Sequence, residues 1–141
     1  MNLTWQDLMD RSHVPYSNRS QAVVVVSNDQ TLFPGVRIEN ASFPLTICAS
    51  QAAIFSCLSE KKIPSAFWVQ DAQNIDERLN YLAGFHEIPV LEKKELPLQP
   101  VWFQPQSSEE IPDNMEQLQR LLPFAITTES DFQVSCRLTT V

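Results

Sequence analysis

Residues 22–27 read Ala-Val-Val-Val-Val-Ser, and this run constrains the chain more than any other stretch. Consecutive β-branched side chains cannot alternate between core and water, so both faces of such a strand must be buried. The run is therefore expected to be a central strand. Asn28-Asp29-Gln30 reads as a hairpin turn, with a return strand over 31–38. Pro34-Gly35 interrupts that strand and predicts a bulge or an edge.

The segment 35–61 follows, and the rest of the chain is arranged around it. A helix is expected to open near Cys48 and run to about Glu60. Ala49, Ala52, Ala53 and Cys57 share one side, and Ile54, Phe55 and Leu58 cover most of another. A helix apolar almost all round is expected to be buried, and its small residues admit a backbone, a ligand or a second subunit.

The remaining elements are shorter. Thr4 caps a first helix ending by Ser12, with Asp7 in its first turn and Trp5, Leu8 and Met9 inward. Strands are expected over 65–70, 89–92 and 98–103. Asn74 and Glu77 form an N-cap signature for a helix carrying the stripe Ile75, Leu79, Leu82 and Ala83. A last helix would begin at Asp113, with Met115, Leu118, Leu121 and Leu122 inward, and 127–141 reads as a further strand.

The chain has 141 residues, which suits one domain, and 43% hydrophobic against 19% charged residues is a globular balance. A formal net charge of -7 disfavours nucleic acid as a partner. No apolar run approaches a membrane span, and the N-terminal residues lack a signal pattern, so the reading is cytoplasmic with no membrane partner. Cys48, Cys57 and Cys136 form no C-x-x-C pair, and two glycines exclude a Gly-rich phosphate loop.

Four strings carry a resemblance: P-Y-S-N at 15–18, E-N-A-S at 39–42, C-A-x-x-x-A-I at 48–54 and L-L-P-F-A at 121–125. Together they resemble the cytidine deaminase family over roughly residues 5–125, leaving 127–141 as an extension. The resemblance implies an α/β protein, a three-layer α/β/α sandwich with a mixed central sheet. It also implies a homodimer or homotetramer with the helix at 48–60 near the subunit centre.

The same resemblance points to a pocket. Cys48 stands at the family's first zinc ligand, followed by Ala49, and Ser50 replaces the proton-shuttling glutamate. Ile75 and Arg78 stand at the other two cysteine positions. Glu39 keeps the ribose-binding glutamate, Arg37 replaces its asparagine, and Arg19 replaces an aromatic residue. Hydrolytic deamination needs a hydroxide at neutral pH, which zinc supplies from three protein ligands and an open position, with a glutamate moving the proton. Neither an aliphatic nor a guanidinium side chain can hold that ion. His13, His86, Cys57 and Cys136 lack ligand spacing, and both histidines read as ordinary loop residues.

The first functional reading is thus a zinc-free pseudoenzyme retained for oligomerisation or for binding a small nucleoside-like or anionic ligand. The alternative is a divergent, active (deoxy)cytidine or nucleoside deaminase that keeps zinc. A third reading makes Cys48 a nucleophile at a helix start, against a buried thiol acting as a small hydrophobe. Arg78 has open readings too. It sits at the zinc position pairing with Glu39, binds an anion, or faces solvent.

Overall fold

The computed structural model describes residues 3–98 and 100–104. The elements in chain order are α1 (Trp5–Met9), β1 (Ala22–Ser27), β2 (Thr31–Val36), a 3₁₀ turn (Phe43–Leu45), α2 (Ala49–Ser59), β3 (Pro64–Val69), α3 (Leu79–Phe85), β4 (Val90–Glu92) and β5 (Val101–Trp102). The expected helix from Asp113, the L-L-P-F-A string and the 127–141 extension lie outside the described residues.

The strands form one sheet in the order β4-β3-β1-β2-β5. β1 is antiparallel to both β2 and β3, while β2–β5 and β3–β4 are parallel, so the sheet is mixed. Its two faces carry separate cores. Val23 and Val25 join Phe33, Ala49, Ala53, Ile54, Cys57, Phe67 and Leu79 beneath α2 and α3. Val24 and Val26 face Trp5, Leu8 and Leu32 on the α1 side. The valine run is therefore the middle layer of an α/β/α arrangement, buried on both sides as its composition requires.

Thr4 caps α1 in a reciprocal box: the Asp7 amide donates to Thr4 Oγ1 at 3.2 Å, and the Thr4 amide donates to Asp7 Oδ2 at 2.8 Å. Trp5 Nε1 donates to the Lys93 carbonyl at 2.8 Å, tying α1 to the chain after β4.

Pro34 lies in a regular register with Val24, so there is no bulge there, and β2 lies between β1 and β5 and is not the sheet edge that the proline suggested. The β1 register shifts instead at Val26/Ser27, against β3. The Arg37 amide donates to the Gln21 carbonyl, so by two-residue alternation Pro34 faces away from β1 and deprives it of nothing. On that outer side the Phe103 amide donates to the Leu32 carbonyl at 2.9 Å. The next rung of a parallel ladder would need an N–H at residue 34, which proline lacks, and the β2–β5 pairing ends at Leu32↔Trp102.

Gly35 has a different purpose. A methyl group there would run into the carbonyl of Ala49 and the backbone of Ala53. The small-residue side of α2 is thus occupied by the chain's own β2 backbone. This corrects the expectation that α2 is buried all round. Ala49, Ser50, Ala53, Ile54 and Cys57 are buried, but Phe55 is 50% exposed on the outer side. A single sheet covers only one side of a helix.

Candidate functional site

The helix expected from Asn74 begins at Leu79, with Arg78 as its N-cap. The cause is Asp76. Its buried carboxylate accepts from the Ser50 amide at 2.9 Å, from Ser50 Oγ at 2.7 Å and from the Arg78 amide at 3.0 Å. The last bond makes an Asx turn over 76–78, and α3 starts directly after it. Asp76 thereby joins the first turn of α2 to the start of α3. An anion at the first turn of a helix is also favoured by the backbone dipoles.

Arg78 completes the junction from the other side. Its Nη1 donates to Gln51 Oε1 at 2.7 Å and to the Thr46 carbonyl at 2.9 Å, and lies 3.8 Å from Cys48 Sγ. Gln51 Oε1 also accepts from the Cys48 amide at 3.1 Å. One guanidinium thus engages the loop before α2, the N-cap residue Cys48 and the first turn of the helix. Arg78 neither faces solvent freely nor pairs with Glu39.

Glu39 is paired with Arg37 instead, Nε to Oε2 at 3.2 Å, and both residues are buried. Its other oxygen accepts from the amides of Tyr16 and Ser17 at 3.1 Å each. These bonds, those of Ser17 foremost, hold the Glu39 carboxyl down at about 2 against an ordinary 4.5. Arg37 also reaches Glu77 and Gln21 at 3.5 Å and lies 5.8 Å from the centre of the Phe43 ring. P-Y-S-N and E-N-A-S, far apart in sequence, therefore meet through one carboxylate.

Cys48 is fully buried, and its thiol is pushed up to about 11. Burial is the main cause, Asp76 and Glu77 add to it, and Arg78 opposes it. A buried thiol whose proton is held this firmly does not suit a nucleophile. Ile75 packs against the core beneath α2 and α3, and Ala49 lies against Gly35. Arg19 is exposed and takes no part in the network; only its backbone amide bonds, to Ser17 Oγ.

Zinc fits this donor set poorly. Among the described residues, no three His, Cys, Asp or Glu side chains converge to hold a metal ion. The positive Arg78 lies against Cys48, the one cysteine of the site among the described residues, and Ile75 has no lone pair to offer.

Asp76, Gln51 and Thr46 belong to the site but went unnoticed in the sequence, and Glu77 was read there only as part of a helix N-cap. Ser50 and Asp76 are 26 positions apart. A serine and an aspartate at that distance carry no local pattern that would join them. Gln51 alone had a cue, three residues after the helix N-cap.

Known proteins agree with this architecture. The family description "Cytidine and deoxycytidylate deaminase zinc-binding region" matches residues 3–75. A cytidine deaminase from Mycoplasma genitalium is 38% identical over 81 residues, 52% of this chain and 62% of that protein. One from Mycoplasma pneumoniae is 41% identical over 49 residues, 35% of this chain and 36% of that protein. The chain thus spans less than two thirds of the length of these relatives. Among solved structures, cytidine deaminase from Mycobacterium leprae superposes with a TM-score of 0.52 at 27% identity, covering 62% of this chain and 81% of that one. The Mycobacterium tuberculosis protein shares the fold, with a TM-score of 0.52 at 21% identity over 68% and 81%. With the family description covering more than half of its residues, this chain belongs to the cytidine deaminase family.

Proposed function

We propose that this chain is a zinc-free, non-catalytic member of its family, retained for self-association or for binding a small molecule. One observation carries the proposal: the polar groups that hydrolysis would turn toward a substrate are bonded to one another. Ser50, at the position of the proton-shuttling glutamate, gives its hydroxyl to Asp76. Both oxygens of Glu39, the glutamate of the ribose motif, are taken by Arg37, Tyr16 and Ser17. Nothing in such a site generates hydroxide, and a ribose would meet a Glu39 carboxylate that already accepts three bonds from the chain itself.

Of the two retained roles, self-association has the better support. An anionic ligand would meet Glu39, Asp76 and Glu77 against only Arg37 and Arg78, so the local charge is already balanced toward the negative. Ile38, Phe43, Leu45, Ile47 and Phe55 are exposed on and around α2, which favours a homodimer or homotetramer. No helix among the described residues is long and apolar enough to cross a membrane. The buried free thiols Cys48 and Cys57 suit a reducing cytoplasm.

The test is metal analysis of the purified full chain, a cytidine and deoxycytidine turnover assay, and light scattering. The expected result is zinc far below one atom per chain, no turnover and a mass above that of one chain. About one zinc per chain with turnover overturns the proposal.

A further inference from the structure

We infer that Arg78 takes over the mechanical work of a metal ion, as a guanidinium staple between the starts of α2 and α3. The inference rests on the zinc-free reading above, and it adds what holds the junction together. A structural metal draws donors from separate segments to one cation. Arg78 does the same with neutral donors: the Thr46 carbonyl from the preceding loop and Gln51 Oε1 from the first turn of α2, with Cys48 Sγ at the edge of contact.

Two features make the substitution self-consistent. The guanidinium is always charged and its bonds go to a carbonyl and an amide oxygen, so the staple needs no deprotonated ligand. Asp76 fixes the backbone of the same turn, accepting the Arg78 amide while gripping Ser50 by both amide and hydroxyl. Arg78 and Asp76 therefore clamp the first turn of α2 from two sides, at Gln51 and at Ser50. Isoleucine at 75 is then free to pack on the core, where a third metal ligand would have to face the cation. The junction is stabilised by a residue that no chelator can remove.

The experiment is thermal melting of the full chain with and without EDTA, for the unaltered protein and for Arg78→Ala, Arg78→Lys and Gln51→Ala. The unaltered protein is expected to melt at the same temperature with and without chelator. Arg78→Ala should melt lower by roughly 4–8 °C, and Arg78→Lys, which keeps the charge but loses the planar fork, by about half of that. In Arg78→Ala the further change Gln51→Ala should lower the melting temperature less than it does in the unaltered chain, because the Arg78–Gln51 bond is already gone and only the bond from the Cys48 amide remains to be lost. Should Arg78→Ala fail to fold, Arg78→Lys carries the test. Either variant melting within about 1 °C of the unaltered chain overturns the staple. A melting temperature lowered by EDTA overturns it as well. Turnover with about one bound zinc per chain sinks the non-catalytic reading; a zinc-free, inactive protein indifferent to residue 78 sinks the staple alone.

Discussion

The two arginines of the site solve the same problem in opposite ways. Arg37 is buried and balanced by carboxylates, Glu39 at 3.2 Å and Glu77 at 3.5 Å. Arg78 is only partly buried and bonds to neutral acceptors, the Thr46 carbonyl and the Gln51 amide oxygen. A buried guanidinium without a counter-ion is costly, whereas a partly hydrated one can be held by dipoles alone. The first cluster should therefore respond to acid and the Arg78 donor bonds should not. Asp76, in the same turn as Arg78, is committed to Ser50.

The sharpest way to separate the clusters is to cut each at its centre. Asp76→Ala should give the largest loss, roughly 3 kcal/mol in urea unfolding, because it strands the buried Ser50 amide and hydroxyl and frees the Arg78 turn. A loss below about 1 kcal/mol would mean that the α2–α3 junction is held by apolar packing alone. Arg37→Met comes next, at about 2 kcal/mol, since it leaves Glu39 with its backbone donors but without its ion pair.

The pH dependence distinguishes the clusters further. Glu39 is held at about 2 in the folded chain against an ordinary 4.5, first by the bonds from Ser17 and then by those from Tyr16 and Arg37. The unfolded chain therefore binds this proton more readily. The stabilisation is complete above pH 4.5 and drains away as the pH falls toward 2. Urea midpoints for the unaltered chain and Glu39→Gln should differ most at pH 7 and converge toward pH 2; a constant gap refutes the assignment. Gln51→Ala should have the smallest effect, about 1 kcal/mol, with little change between pH 4 and pH 7.

Much of the architecture was legible in the sequence because it rests on short-range pattern. The valine run announced its double burial, and Thr4 and Asp7 announced a capped helix start, whereas Pro34 suggested an edge that β2, flanked by β1 and β5, does not have. The misreadings arose where a long-range bond overrides a local signal. Asn74 and Glu77 look like a helix start, but Ser50 captures Asp76 between them and delays the helix to Leu79. The apolar girth of α2 suggested full enclosure, yet pattern alone does not say how many neighbours a helix has, and Phe55 remains exposed. Within the site, the positions of Cys48, Ser50, Glu39 and both arginines came from motif resemblance, and what each one touches came only from the fold. Arg19 shows the limit, since its place in the motif did not bring its side chain to the cluster.

Pro34 carries a consequence for how far the chain's own sheet can extend. A strand paired on the β5 side of β2 finds no donor one step beyond Leu32. The β2–β5 ladder is thereby kept short, by a residue whose missing hydrogen costs its other neighbour β1 nothing.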